Sequence, residues 1–136
     1  MKAEVATNGR VAHFIVLGLR IFMGLIFLIA GINGIFQFLP MPRISQEGMN
    51  LMKALGSTGY MLPLVSIVQF VCGFMLLTNR YVPLALTIIF PIVLNIFLFH
   101  LFLDHNGIVL GTIVFLTNLT LAWVNREHYE CIFKKV

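Results

Sequence analysis

Charged side chains are scarce in this sequence. Asp, Glu, Lys and Arg make up 10% of the 136 residues and hydrophobic residues make up 60%, whereas a soluble domain carries about 25% charged residues. Together with a mean hydropathy of +0.98, this shortage excludes an ordinary soluble domain and indicates a membrane protein. The length leaves room for one domain over residues 1–136.

The formal net charge of +4 would suggest nucleic acid as the partner of a soluble chain. Here the basic residues lie between and outside apolar runs, so their expected role is to orient the chain in the bilayer. We expect the lipid bilayer as a partner, and no nucleic acid.

Cysteine and recognisable cofactor motifs are nearly absent. Of the two cysteines, Cys72 lies in an apolar run and Cys131 in the polar tail. They would lie at different depths, so they could not approach within the roughly 7 Å between Cα atoms that a disulfide allows. We therefore expect no disulfide. The sequence contains no CxxC, HExxH, Walker or GxGxxG pattern. We also expect no metal site, because no three His, Cys or carboxylate residues share one predicted depth.

Long apolar runs dominate what is present. About 17 to 25 residues cross a hydrocarbon core of roughly 30 Å, and four runs reach that length. They cover residues 11–38, 60–77, 82–103 and 108–124. The last three are joined by very short links, which favour antiparallel neighbours. The sequence predicts an all-α fold, a transmembrane up-down-up-down four-helix bundle.

The one long connection, residues 37–60, has a pattern of its own. Ser45 is placed to cap a short helix in which Met49, Met52 and Leu55 share one face. This pattern predicts an exterior half-helix that lies on the membrane or over the mouth of the bundle. A well-packed loop without that role is the alternative.

Basic residues are distributed unevenly over the two sides of the predicted bundle. Arg43 and Lys53 fall on the side of the long connection. The opposite side carries Lys2, Arg10, Arg80, Arg126, Lys134 and Lys135. Because cytoplasmic loops carry the excess of Lys and Arg, we expect both termini in the cytoplasm and the chain in the bacterial inner membrane.

Polar residues in the spans fall into layers when position is converted into depth at about 1.5 Å per residue. Gln69, Asn95 and Asn118 share a middle layer. Lipid offers no water to an outward amide, so we expect a mid-membrane polar network between helices, with ligand contact as the alternative. An outer layer holds Asn33, Gln37, Tyr60, His100 and Asp104.

Arg20 alone occupies the inner half of the first span. One interpretation is that its long stem carries the guanidinium toward the nearer surface, where it bonds to carbonyl groups. The other is that it anchors an anionic or carbonyl-bearing ligand, since Gly24 and Gly31 follow it at helical spacing and leave room for a close approach.

His100 and Asp104 are four residues apart and therefore lie on one helix face. A carboxylate beside an imidazole stabilises the protonated ring, which is what a quinone site or a proton relay requires. The alternative is local: Asp104 begins the turn DHNG and caps it.

The chain resembles the DoxX-like family of small four-helix integral membrane proteins. The resemblance rests on RIFMGLIFLIAGING (20–34), TGYMLP (58–63), GFMLLTNRYVPLAL (73–86) and NIFLFHLFLD (95–104). One departure is Gly34, where many relatives carry a lysine, so an anion-binding role of that lysine does not transfer. The resemblance implies a four-helix membrane bundle. Some members act as the membrane subunit of a thiosulfate:quinone oxidoreductase or work alongside redox partners, and most have no assigned activity. The family's motif residues here are Arg20, Asn95, His100 and Asp104.

Three functions follow as hypotheses. The first is a redox-linked membrane subunit without independent catalysis that binds a quinone or another lipid-soluble ligand in the bundle, with Arg20, Asn33, Gln37, Tyr60, His100 and Asp104 as ligand-binding residues. The second is a non-catalytic bundle that binds lipid or scaffolds a protein partner, or a second copy of itself, through the half-helix. The third, a small-solute transporter, is less favoured because four helices show no inverted repeat.

Overall fold

The chain forms a bundle of α-helices in the computed structural model, which describes residues 2–130 and gives side chains from Asn8 onward. The helices are α1 (Lys2–Phe36), α2 (Gln46–Ser57), α3 (Met61–Leu77), α4 (Val82–Phe102) and α5 (Ile108–Val124). Two short 3₁₀ turns, His105–Gly107 and Arg126–Tyr129, follow α4 and α5. The all-α prediction is confirmed. The predictions for Cys131, Lys134, Lys135 and the Lys2 side chain fall outside the described residues.

Three stretches of the described chain are helical, long and apolar enough to cross a membrane. They are Asn8–Phe36, Val82–Phe102 and His105–Val124. A fourth crossing exists only if α2 and α3 are counted as one span bent by 95°. With 17 residues, α3 alone is roughly 25 Å long, slightly less than the hydrocarbon core it would have to cross.

Glycines bring α1 and α3 into close contact. Gly31 lies against the main chain of Ser66 and Phe70, and Gly24 lies against Gly73. The partners run in opposite order along the two helices, so α1 and α3 are antiparallel. Helices in a membrane associate largely through packing of this kind, because lipid tails are as apolar as the side chains they meet.

The core is a narrow apolar seam between the helices. Its fully buried side chains include Met23, Phe27, Leu76, Leu86, Ile89, Val93 and Leu121. Large apolar side chains such as Phe14, Leu64 and Leu116 are exposed on the outside of the bundle. An exposed apolar surface of this extent suits contact with lipid.

The short helix predicted after Ser45 is present as α2. The Ser45 side chain accepts a hydrogen bond from the Gly48 main-chain N–H at 3.1 Å, and Gly48 is buried against the ring of Phe99. Met49 and Met52 on the predicted face are half-buried. The face proposed for a protein partner is therefore partly covered by this chain.

Candidate functional site

The polar residues gather at two ends of the bundle. The α2 end comprises residues 45–57 and the connection Asp104–Gly107, and the arginine end comprises the turn Thr78–Tyr81 and the segment Arg126–Tyr129. Helix α4 runs from one end to the other. Its 21 residues set the two ends roughly 30 Å apart.

Asp104 organises the α2 end. Helix α4 ends at Phe102 and the chain becomes extended at Asp104, whose side chain is only 3% exposed. Its Oδ1 accepts hydrogen bonds from the Ser45 main-chain N–H at 3.2 Å and from Asn106 Nδ2 at 3.0 Å. The Ser45 hydroxyl donates to the Leu103 carbonyl. The carboxylate thereby ties the connection after α4 to the start of α2, where a helix favours negative charge.

His100 is held in one orientation by the main chain of Asp104. Its Nδ1 lies 3.1 Å from the Asp104 carbonyl oxygen and 3.7 Å from the carboxylate Oδ2. A carbonyl oxygen only accepts, so Nδ1 carries the hydrogen in the neutral ring, and Nε2 presents a lone pair. The side chain is 18% exposed. The structure thus brings His100 and Asp104 together, and no hydrogen bond to Nε2 is formed within the described part of the chain.

Two glycines of the following segment make room for this ring. A Cβ atom added at Gly107 would lie 2.7 Å from Nε2, and one added at Gly111 would lie 3.1 Å from Cδ2. The imidazole therefore lies directly over the start of α5. Sequence reasoning did not identify these glycines, because their role depends on how α5 packs against α4.

The other three outer-layer residues do not join this pair. Asn33 Oδ1 accepts from the Leu39 main-chain N–H at 2.7 Å, which caps the chain where α1 ends. Gln37 is exposed with a positive φ of 50°. Tyr60 is 61% exposed and precedes α3 without a side-chain capping bond. Among the described residues, none of the three forms a hydrogen bond with His100 or Asp104.

Arg20 belongs to the arginine end. Its Nη1 donates a hydrogen bond to Asn79 Oδ1 in the turn between α3 and α4, and its Nε is buried with no hydrogen-bond partner among the described residues. The guanidinium therefore reaches toward a polar turn, as expected for a snorkelling arginine. It lies about the length of α4 from His100, so one small polar head group cannot contact both residues.

The three amides of the middle layer have different surroundings. Asn118 is 1% exposed, and its Nδ2 lies 3.5 Å from the Leu86 carbonyl oxygen. Gln69 is half-buried and Asn95 is exposed. No hydrogen bond links any two of them in the part of the chain that the structure describes, so the structure does not bring them together as a network.

A groove between α4 and α5 was not predicted from the sequence. It consists of two chambers of about 620 and 770 Å³ at the arginine end, and both are lined by Thr87 and Tyr129. The Tyr129 hydroxyl donates to the Pro83 carbonyl oxygen at 2.8 Å. The sequence contains a pattern that could have indicated this groove: Trp123, Arg126 and Tyr129, which all line it, follow one another at intervals of three.

Candidate metal ligands are not grouped in the described residues. No set of three His, Cys, Asp or Glu side chains in residues 8–130 has the arrangement that could hold a metal ion. The two ionisable side chains that the structure brings together at the α2 end are the His100 imidazole and the buried Asp104 carboxylate.

Comparison with known proteins gives one match. A family model described as DoxX matches residues 15–101, which is more than half of the chain. The matched region runs from α1 into the last turn of α4 and includes Arg20 and His100, whereas Asp104 and α5 follow it. Neither a curated protein nor a solved structure matches the chain.

Proposed function

The chain belongs to the DoxX family, and from that premise we propose that it is a redox-linked membrane subunit that binds a quinone or a similar lipid-soluble ligand at the α2 end. The observation that carries this proposal is the hydrogen bond between His100 Nδ1 and the Asp104 carbonyl. That bond engages Nδ1 and leaves the lone pair of Nε2 to accept a hydrogen bond from a ligand. The imidazole is half-buried in a bundle whose core is apolar.

The chemical role of the pair is proton exchange. Nε2 accepts a hydrogen bond from a ligand hydroxyl group and can take its proton. The charge that then forms on the ring is stabilised by the Asp104 carboxylate, 3.7 Å away. When a bound quinol is oxidised, its two electrons pass to a partner protein, one proton passes to Nε2 and the other leaves to solvent, so the chain acts as an accessory subunit of a quinone-linked oxidoreductase rather than as an independent enzyme.

The proposed arrangement in the membrane is an up-down-up-down bundle of four spans. Helix α2 lies along the surface, which accords with the 95° bend between α2 and α3. Arg10, Arg20, Arg80 and Arg126 lie toward the other end, whereas the α2 side carries Arg43 and Lys53. The positive-inside rule then places both termini in the cytoplasm of a bacterium, with the chain in its inner membrane.

A quinol titration tests the proposed site. A short-chain benzoquinol, kept reduced, should raise the thermal midpoint of the detergent-purified protein, and His100→Ala should weaken its binding by about tenfold, because a hydrogen bond contributes roughly 1 to 1.5 kcal/mol. His105→Ala is the matched control: His105 lies five residues further on, is exposed and belongs to the same end.

The result of this titration is decisive in either direction. Binding that is lost in His100→Ala and kept in His105→Ala supports the site. If the parent protein shows no midpoint shift with the quinol, or if His100→Ala binds it as the parent does, the proposal is wrong.

A further inference from the structure

The α4–α5 groove changes in polarity along its length. The chamber nearer the α3–α4 turn is lined by polar side chains that include Asn79, Asn125 and His128. The second chamber has a mostly apolar surface, to which Leu86, Phe90, Leu119 and Ala122 contribute, and it is also lined by Asn118, Arg126 and Glu130. The shared lining residues Thr87 and Tyr129 place the two chambers next to each other. A ligand that fills both must therefore carry a polar head and an apolar tail.

The arginine end of the bundle carries an excess of positive charge. Arg126 lines the groove, with its guanidinium 5.3 Å from the centre of the Trp123 ring. Two glutamates, Glu127 and Glu130, lie close to it in the chain, and Glu130 lines the same chamber as Arg126. No carboxylate within residues 8–130 forms an ion pair with Arg126. The end as a whole carries three arginines against these two glutamates, since Arg20 and Arg80 adjoin Asn79.

Asn79 faces the groove as a hydrogen-bond donor. Its Oδ1 accepts a hydrogen bond from Arg20 Nη1. The two Nδ2 hydrogens are then the polar groups of that side chain that can donate to a ligand. Arg80 follows it in the chain and is exposed. An acceptor-rich anion such as a phosphate diester matches this combination of amide and guanidinium donors.

We propose that the α4–α5 groove is a binding site for an anionic phospholipid. The phosphate lies at the rim, near Asn79 and Arg126, and an acyl chain lies in the chamber lined by Leu86, Phe90 and Ala122. A chamber of about 770 Å³ is within the range of specific ligand sites. Trp123 and Tyr81 are exposed at the same end, where aromatic side chains mark the level of lipid head groups.

This site is independent of the quinone site. Its polar rim lies at the other end of α4, roughly 30 Å from His100, and Phe90 in the tail chamber is ten residues, about 15 Å, from His100 along α4. The donors of the rim suit an anion, whereas His100 Nε2 is an acceptor that suits a hydroxyl group. His100→Ala should therefore leave lipid binding unchanged.

Native mass spectrometry of the full chain in detergent tests the proposal, with dioleoylphosphatidylglycerol and dioleoylphosphatidylcholine as the two lipids. Arg126→Ala should lower the affinity for phosphatidylglycerol about fivefold, the factor expected for one basic side chain near an anionic membrane surface. Arg126→Lys should retain most of it. Lys53→Ala, which removes an exposed cation from the α2 end, is the matched control.

A second pair of variants tests the tail chamber. Ala122→Phe places a ring in the groove and should reduce the retention of both lipids, whereas Leu116→Phe enlarges an exposed side chain on the same helix and should not. The proposal is overturned if the parent protein does not prefer phosphatidylglycerol, or if each variant behaves as its control does. Displacement of the lipid by glycerol phosphate alone would also overturn it, because the tail would then contribute nothing.

Discussion

Gly31→Ala is expected to destabilise the protein by about 3 kcal/mol, the upper part of the usual range for overpacking. An added Cβ atom would lie 2.5 Å from the Phe70 nitrogen and 2.7 Å from the Ser66 carbonyl oxygen. Both are main-chain atoms, which cannot turn aside as a side chain can, so α1 and α3 would have to separate. Thermal unfolding in detergent should show a large fall in the midpoint. Gly73→Ala should behave alike, since its Cβ atom would lie 2.5 Å from the Leu28 nitrogen.

Gly18→Ala is the control for this prediction. Gly18 lies in the same helix, and an added Cβ atom would meet no atom within 4 Å. Alanine is the better helix former by about 0.5 to 1 kcal/mol, so the variant should be as stable as the parent protein or slightly more stable. Equal midpoints for Gly18→Ala and Gly31→Ala would contradict the close α1–α3 contact.

Asp104→Ala is expected to release α2 from the bundle. The substitution removes the acceptor of the Ser45 main-chain N–H and of the Asn106 amide. Loss of hydrogen bonds to a buried charged group costs about 1 to 3 kcal/mol. Because Ser45 is also the cap of α2, the loosening should concentrate in residues 37–60. Limited proteolysis should cleave that connection faster than in the parent protein, before the remaining helices unfold.

Glu47→Ala is the matched acidic substitution. Glu47 lies in the first turn of α2, is exposed and forms no ion pair within the described part of the chain. Its removal should leave the cleavage rate of the connection close to that of the parent protein. If Asp104→Ala and Glu47→Ala are cleaved at the same rate, Asp104 does not hold α2 in place.

Most helices could be located from the sequence, because both of the signals that define them are local. Apolar runs of sufficient length predicted α3, α4 and α5 to within a residue or two of their observed bounds. The capping position of Ser45 predicted the start of α2. The first helix was placed less well: it begins at Lys2, because helix formation does not require the apolar residues that were used to find the span.

The candidate site was only partly predictable. The spacing of His100 and Asp104 required the two side chains to be near each other, and the structure has them so. The spacing did not reveal that the His100 ring bonds to the main-chain carbonyl of Asp104. It also did not reveal that the Asp104 carboxylate bonds to Ser45, 59 residues away in the chain. The sequence also did not predict the hydrogen bond between Arg20 and Asn79. Nor did it predict the groove between α4 and α5.

The sequence by itself determined that this is an all-helical membrane protein, where its helices lie and which polar residues share a helix face. Apolar composition, length and the helical repeat act within one segment, so they can be read without knowing the neighbours. Only the tertiary structure decided which nitrogen of His100 is available, which end of the bundle Arg20 serves and where a groove opens. Those features depend on the distances between helices, which are small where residues without a side chain, such as Gly24, Gly31 and Gly73, let the main chains approach.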